Sequence, residues 1–285
     1  MKILKEDSIF PQQGSLILGF FDGIHAGHQN VIQAVNHRPL VVVTFSSSPA
    51  EYFGKDFKYI YNRNYNYKIL EDLGIDYIHE QDFSKIAKIT ADKYLKNLIN
   101  NFNPKYIASG FNHTFGVNKQ GNSELLKINQ GSYTYCCVDK TVISDEVVSS
   151  SLIKNYLIKG DIKKANELLT REFLIESIVI EGAKLGRKLG FPTANLKYPN
   201  NIIKIPYGVY KVEVLGKIAI MNWGVKPTIG SEEVLEVHIP NFSENIYGKK
   251  LQIKIIDKIR DEKKFNNLDE LKTQIKKDVE VCLKS

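Results

Sequence analysis

The sequence has little cysteine and no long apolar run. Only three of its 285 residues are cysteines, Cys136, Cys137 and Cys282, and no two of them have the spacing of a zinc-binding CxxC pair. Three cysteines do not make a disulfide framework. No stretch reaches the roughly 18 apolar residues that a membrane-spanning helix needs. Disulfide scaffolds and helical membrane proteins are therefore excluded.

Targeting and nucleic-acid signals are also missing. The first residues, MKILKED, are charged and lack the apolar core of a signal peptide, so we expect a cytoplasmic location. The net charge is +7, but acidic residues are interleaved with the lysines throughout. This distribution favours a basic surface that suits anionic nucleotides, and we expect neither nucleic acid nor a membrane as a partner. The sequence leaves the oligomeric state open.

Two patterns of secondary structure divide the chain, and its length is typical of two domains. Up to about residue 170, apolar runs alternate with helical segments. The expected strands are 15–21, 40–45, 75–79, 105–109 and the TYCCV run, and the expected helices are 27–35, 67–73, 91–101, 151–158 and 162–169. This order predicts an α/β fold with a doubly wound parallel sheet in residues 1–170. Asp161 is an expected N-cap, and the tyrosine-rich segment 59–67 is expected to be a mobile loop.

Residues 171–285 have a different pattern, in which short expected strands are separated by turn residues. The expected strands are 173–180, 209–215, 218–222, 234–239 and 251–256, which is typical of a small antiparallel barrel. Residues 267–283 have apolar side chains at helical spacing and predict one terminal amphipathic helix.

A phosphate-handling turn follows the first long strand. The run GFFDGIHAGH occupies residues 19–28, and Gly23 and Gly27 allow the backbone to approach phosphates closely. His25 and His28 stand at the start of a helix, whose free N–H groups also attract anions. Imidazole donors aimed at an α-phosphate stabilise the transition state of nucleotidyl transfer. We therefore interpret these residues as a nucleotidyltransferase site, against the alternative of two surface histidines on a capped helix.

Two later segments are candidates to complete that site. Asn112 lies in GFNHTFG after a further strand, where it is either a ligand-binding residue or a turn former. Ser149 and Ser150 precede a helix in VSSSLIK, and Lys154 is one turn further on. Hydroxyl groups at a helix N-terminus cap the helix or bind phosphate, and the spacing allows both.

A second nucleotide signature, GRKLGFPTAN, occupies residues 186–195. Gly186 and Arg187 belong to a basic glycine-bracketed loop that is suited to phosphates, and Thr193 and Asn195 offer oxygen ligands of the kind Mg²⁺ accepts. In LEVHI, alternation places Glu236 on one face with His238, while Val237 and Ile239 face the core. Glu236 is then either a general base or an ordinary exposed carboxylate. Two such signatures on one chain suggest two consecutive reactions on one metabolite.

Taken together, the chain resembles the prokaryotic bifunctional riboflavin kinase/FAD synthetase family over nearly its full length. The runs that carry the resemblance are GFFDGIHAGH, GFNHTFG, VSSSLIK, GRKLGFPTAN, PYGVY, NWGVKPT, EVHI, YGKKL and IRDEKKF. The resemblance implies a nucleotidyltransferase-type domain that adenylylates FMN to FAD, and a six-stranded barrel with a long helix that phosphorylates riboflavin to FMN. Both reactions use ATP, with Mg²⁺ as the implied metal.

The resemblance also implies residue roles. His25, His28, Asn112, Ser149 and Ser150 would handle ATP phosphates in the adenylyl site. Thr193 and Asn195 would hold Mg-ATP in the kinase site, and Glu236 would be its general base.

The departures from the family pattern lie in the first half. Ser46–Ser48 replace the usual His-Pro, His113 replaces an aromatic residue, and Lys154 replaces an arginine that would bridge two oxygens. One alternative is therefore a riboflavin kinase whose adenylyltransferase half has weakened. Two others are a non-catalytic flavin-binding regulator and a nucleotidyltransferase for another acceptor.

Overall fold

The computed structural model describes residues 1–5, 8–182, 190–225 and 233–284. Contacts divide the chain into two compact units. The first unit comprises residues 1–58 and 63–149, and the second comprises residues 59–62 and 150–285. The two helices between residues 150 and 169 are thus counted with the second unit. The domain limits 1–170 and 171–285 stay a prediction.

The first unit is built on a six-stranded sheet in which every pairing is parallel. Its strands are β1 (Lys2–Leu4), β2 (Ser15–Leu18), β3 (Leu40–Phe45), β4 (Tyr77–Gln81), β5 (Tyr106–Gly110) and β6 (Thr134–Val138). Its helices are α1 (Ala26–Gln33), α2 (Pro49–Tyr52), α3 (Arg63–Asp72), α4 (Phe83–Ile86), α5 (Ala91–Phe102) and α6 (Ser123–Ile128). A hairpin of β7 (Val142–Ile143) and β8 (Glu146–Val147) follows. The expected parallel α/β sheet is confirmed.

The strand order β1-β4-β3-β2-β5-β6 locates the ligand-binding edge. The chain adds β3 and β4 on one side of β2, and later adds β5 and β6 on the other side. The topological switch point therefore lies between β2 and β5, where open α/β sheets bind ligands outside the carboxyl ends of their strands. The buried strands β2 and β3 pack on α5 through Leu95, Leu98 and Phe102, which holds this edge on a rigid core.

The expected loop over residues 59–67 is wrong in part, because only residues 59–62 lie outside a helix or strand. Ile60 and Tyr61 are fully buried, and α3 begins at Arg63. The Tyr59 backbone pairs with that of residues 201 and 203, and the Tyr61 hydroxyl donates to the Glu172 carbonyl. Tyrosine rings bury a large apolar area, so a composition that looks polar still packs.

The second unit contains two helices and a closed barrel. The helices are α7 (Ser150–Lys159) and α8 (Ile162–Leu169), and Asp161 caps α8 by accepting from the Lys164 N–H at 3.4 Å, as expected. The barrel strands are β9 (Phe173–Ile180), β10 (Ala194–Leu196), β11 (Gly208–Val214), β12 (Lys217–Val225), β13 (Glu233–His238) and β14 (Lys250–Asp261). They close in the order β10-β13-β12-β11-β14-β9, which confirms the antiparallel barrel.

The barrel interior and the terminal helix account for the remaining apolar residues. Tyr210, Met221 and Trp223 are buried inside the barrel. Outside it, α9 (Leu268–Lys284) packs its Cys282 against Val209 and Ile220. The carboxylate of Asp278 on α9 also accepts hydrogen bonds from Arg260 of β14, at 2.8–3.2 Å. The long terminal helix expected from residues 267–283 is confirmed.

One barrel strand, β10, is absent from the strands that the sequence predicts. The PTAN run, residues 192–195, contains proline and asparagine, which are typical of turns. Ala194–Leu196 nevertheless form a strand that pairs with both β9 and β13. This short strand matters most for the second site, because it carries Asn195.

Candidate active sites

The segment His25–His28, which we call the HxGH turn, lies in the connection from β2 to α1 at the switch point of the sheet. Gly23 has a φ of 84°, and Ile24 has a φ of 43°, a conformation that β-branched residues rarely adopt. Ile24 is fully buried, so the core holds it in this strained turn. Strain of this kind persists where surrounding structure fixes a functional geometry. The turn delivers His25 to the N-cap position of α1.

The two imidazole rings form a stacked pair. Their centroids are 3.7 Å apart with 18° between the planes. The backbone N–H of His28 donates to His25 Nδ1 at 3.3 Å. The ring proton of a neutral His25 is therefore on Nε2. A Cβ at Gly27 would come within 3.2 Å of the His25 ring, which explains the glycine between the two histidines.

Burial keeps both rings neutral at physiological pH. It lowers the pKa of His25 to about 4, against a weaker opposing effect of a backbone hydrogen bond. Burial, followed by the proximity of His25, lowers the pKa of His28 well below its ordinary value. Nδ1 of His28 is buried without a hydrogen-bond partner. The pair therefore offers neutral N–H donors in a site with little water, where such donors are electrostatically strong.

Asn112 lies at the same edge of the sheet. Its strand β5 pairs with β2, with Leu18 opposite Ser109, so the segments after both strands emerge side by side. Asn112 is exposed, and the preceding backbone is close enough that a Cβ at Gly110 would lie 3.5 Å from Asn112 Oδ1. The structure thus brings Asn112 to the same switch point as the HxGH turn.

His113, beside Asn112, has a different environment. Its Nε2 is buried without a partner, and burial lowers its pKa to about 4. Its ring stacks on Phe115, with centroids 5.8 Å apart. His113 is therefore a neutral ring at the position where the family usually has an aromatic residue.

Ser149, Ser150 and Lys154 lie at the start of α7. Ser149 is the last residue of the first unit, whereas Ser150 and Lys154 are counted with the second. Ser150 is the first residue of the helix, and Lys154 follows one turn later. Their action on the nucleotide at the HxGH turn stays a prediction.

The second site lies on the outer face of the barrel. Asn195 of β10 is directly opposite Glu236 of β13, and Glu236 is also opposite Asn222 of β12. Cβ atoms of such pairs are about 4.5–5.5 Å apart. Leu235 and Val237 are buried inside, so Glu236 faces outward, as alternation predicts. Local sequence patterns do not single out Asn222, since only the strand register places it opposite Glu236.

The approach to Asn195 depends on a glycine. Asn195 is 8% exposed, and a Cβ at Gly182 would overlap its amide group. Thr193 is half-buried just before β10. The Thr193 hydroxyl and the Asn195 amide oxygen are hard oxygen donors that fit Mg²⁺, and the Glu236 carboxylate lies opposite Asn195 on the adjacent strand. Gly186 and Arg187 lie outside the described residues.

His238, the last residue of β13, contacts the segment that precedes β10. Its Nδ1 lies 2.9 Å from the Pro192 carbonyl oxygen, and the Phe191 ring meets its ring edge-on at a centroid distance of 5.4 Å. Period-two alternation placed it beside Glu236, but nothing in the sequence connected it to the PTAN segment.

An open depression of about 620 Å³ lies elsewhere in the first unit. Its lining includes Met1, Arg38, Pro39 and Asp76, at the amino ends of β3 and β4. Arg38 and Asp76 form a salt bridge there. Because ligands of open α/β sheets bind at the opposite, carboxyl edge, the switch point is the better candidate site.

Comparisons with known proteins place both halves in one family. The chain matches the family model for FAD synthetase over residues 8–152 and the model for riboflavin kinase over residues 169–285. The bifunctional riboflavin kinase/FMN adenylyltransferase of Haemophilus influenzae is 35% identical and aligns over 94% of this chain and 92% of its own length. The Bacillus subtilis enzyme of the same name is 32% identical over 94% and 91%.

A solved structure agrees with this fold over both units. It is described as a macrolide-efflux protein from Streptococcus pneumoniae, and it matches with a TM-score of 0.90 at 31% identity, covering 98% of this chain and 97% of that one. Among the helices in the described part of this chain, none is both long and apolar enough to span a bilayer. The fold and the two sites define a two-module nucleotide-dependent transferase. The chain belongs to the bifunctional riboflavin kinase/FMN adenylyltransferase family.

Proposed function

We propose that this chain makes FAD from riboflavin in two ATP-dependent steps. Riboflavin and ATP give FMN and ADP at the barrel, and FMN and a second ATP give FAD and pyrophosphate at the parallel sheet. The observation that carries the proposal is that the GFFDGIHAGH run and the GRKLGFPTAN run each lie within the matching family model. Relatives with both names in one chain support it further.

In the adenylyl step, a phosphate oxygen of FMN attacks the α-phosphate of ATP and pyrophosphate leaves. The HxGH turn supplies the charge stabilisation. Neutral His25 and His28 donate hydrogen bonds to phosphate oxygens as negative charge develops, and burial means that little water has to reorganise. Gly23 and Gly27 let the backbone approach the phosphates, and Asn112 contributes an amide from the neighbouring strand. Ser149, Ser150 and Lys154 complete the anion site in this proposal.

In the kinase step, the terminal hydroxyl of riboflavin attacks the γ-phosphate and ADP leaves. Glu236 accepts the hydroxyl proton from its fixed position on β13. Asn195 and Thr193 would hold Mg²⁺, which neutralises the charge of the transferring phosphate when it is bound. Gly186 and Arg187 bind phosphates in this proposal, on the strength of their sequence alone.

The test is one incubation with separated products. The protein is given riboflavin, ATP and Mg²⁺, and FMN and FAD are resolved by chromatography. We expect both products, with FAD following FMN in time. FMN alone would indicate a kinase whose adenylyltransferase half has lapsed. Flavin binding without turnover would indicate a regulator. Pyrophosphate release only with a different acceptor would indicate another nucleotidyltransferase. A cytoplasmic location, where ATP is available, is part of the proposal.

A further inference from the structure

The segment that carries Thr193 is held to β13 by a side chain. The pairing of β10 with β13 begins at Ala194, which is opposite Val237. One position earlier, Thr193 would face His238, but the ladder has ended. Pro192 has no N–H with which to extend it. At this point the His238 ring reaches the Pro192 carbonyl, with Nδ1 2.9 Å from the oxygen.

The chemistry of this contact fixes the histidine. A carbonyl oxygen only accepts, so His238 Nδ1 carries the hydrogen and donates it. The edge-on contact with Phe191, at 81° between the ring planes, restrains the ring orientation. The residue is half-buried and has the same outward orientation as Glu236, two positions earlier on the strand.

We propose that His238 is a positioning residue of the kinase site: by holding the Pro192 carbonyl, it fixes the approach of Thr193 and Asn195 to Glu236. The inference rests on the proposed kinase function. β10 is only three residues long, so few backbone hydrogen bonds hold its entry segment. The same strand, β13, thus carries the base and, through His238, sets the position of the groups opposite it. Small displacements of such groups cost large factors in rate.

Two amide substitutions separate this role from a general requirement for a polar side chain. The amide nitrogen of asparagine reaches the position of a histidine Nδ1, whereas that of glutamine reaches the position of Nε2. His238→Asn therefore preserves the bond to Pro192, and His238→Gln does not. His238→Ala removes the donor altogether.

The experiment measures riboflavin phosphorylation by the full chain, varying ATP at saturating riboflavin and Mg²⁺ and then riboflavin at saturating ATP. We expect kcat/KM for ATP to fall about 5- to 10-fold in His238→Ala and His238→Gln, on the scale of one lost hydrogen bond. His238→Asn should remain within about twofold of wild type if the bond is kept. The KM for riboflavin should stay unchanged, because the shifted groups face the nucleotide.

Two controls distinguish the proposed role of His238 from other causes of lost activity. His37→Ala removes an exposed imidazole in the first unit and should leave both activities unchanged. The fluorescence of Trp223, the single tryptophan, reports whether the barrel stays folded in each variant. The inference is overturned if His238→Ala retains wild-type kinetics, if the asparagine and glutamine variants are equally impaired, or if loss of activity only follows unfolding. A wild-type protein that does not phosphorylate riboflavin would overturn the proposed function instead.

Discussion

The two candidate sites of this chain are assembled in different ways. The adenylyl site uses segments that follow parallel strands, and its geometry comes from a strained turn and two stacked rings. The kinase site uses side chains on antiparallel strands, where the register places Asn195 opposite Glu236. The first depends on burial, which keeps its histidines neutral, and the second depends on strand pairing. Substitutions should therefore affect the two activities separately and for different physical reasons.

The largest effect is expected at Glu236. Glu236→Gln keeps the shape of the side chain but removes the proton acceptor, so riboflavin phosphorylation should fall about 100-fold or more. FMN adenylylation, measured on the same sample, should be retained. Glu213→Gln is the matched control, because Glu213 is an outward carboxylate on β11 paired with Lys254 at 2.8 Å. Near-normal phosphorylation by the Glu236 variant would refute its role as base.

His28 provides the corresponding test of the sheet. If His28 donates to the phosphate as proposed, His28→Ala should cost FAD formation about 2–4 kcal/mol of transition-state stabilisation. Pyrophosphate release from FMN and ATP measures the effect, and riboflavin phosphorylation should not change. His37→Ala is the matched imidazole control. If FMN synthesis collapsed while FAD synthesis persisted, the assignment of the two activities would be reversed.

Gly182 tests how closely the barrel segments must approach. In Gly182→Ala, the added Cβ would overlap the Asn195 amide, so the Asn195 side chain or the backbone at residue 182 has to shift. We expect the kinase rate to fall about 10- to 100-fold if the Asn195 amide holds Mg-ATP as proposed, because small displacements of such a group cost large factors in rate. Adenylylation should be unaffected. Gly131→Ala is the control, since a Cβ there has open space around it. Equal activities of the two variants would show that the approach is not required.

His113 tests the cost of burying imidazoles in the first unit. Its folded pKa of about 4 lies below the ordinary value of 6.5, so the unfolded chain takes up a proton first as the pH falls. The stability it contributes is present above pH 6.5 and is lost as the pH falls towards 4. At pH 5 the loss is about 2 kcal/mol. His113→Phe keeps the ring contact and should remove this part of the acid sensitivity.

The measurement for His113 is denaturant unfolding at pH 7 and pH 5, followed by circular dichroism. The fluorescence of Trp223 follows the barrel in the same samples as an internal reference. His25 and His28 still titrate in the variant, so some acid sensitivity should remain. An unchanged difference between the two pH values would contradict the burial of His113.

Much of this fold follows from local sequence patterns. The alternation of strands and helices before residue 170 predicted a parallel sheet, and the short strands after it predicted a barrel. Both are confirmed. Segment 59–67 misled because tyrosine and asparagine read as polar, and only long-range packing buries Ile60 and Tyr61. β10 was missed for a similar reason, because its pairing partners are distant in sequence. The contact of His238 with Pro192 depends on that same pairing, so local reasoning could not find it.

The smallest expected effect, at Lys154, tests whether the adenylyl half still works. A lysine neutralises one phosphate oxygen but cannot bridge two as an arginine does. If Lys154 binds phosphate, Lys154→Ala should lower FAD synthesis about 10-fold, the scale of one hydrogen bond to a charged group, and Lys154→Arg should maintain or raise it. Lys159→Ala, at the last residue of the same helix, is the control.

If neither change at Lys154 matters, and wild-type protein given FMN, ATP and Mg²⁺ releases no pyrophosphate, the chain is a riboflavin kinase with a lapsed second site. Loss of pyrophosphate release in Lys154→Ala alone, with kinase activity intact, would instead place this lysine in the adenylyl site.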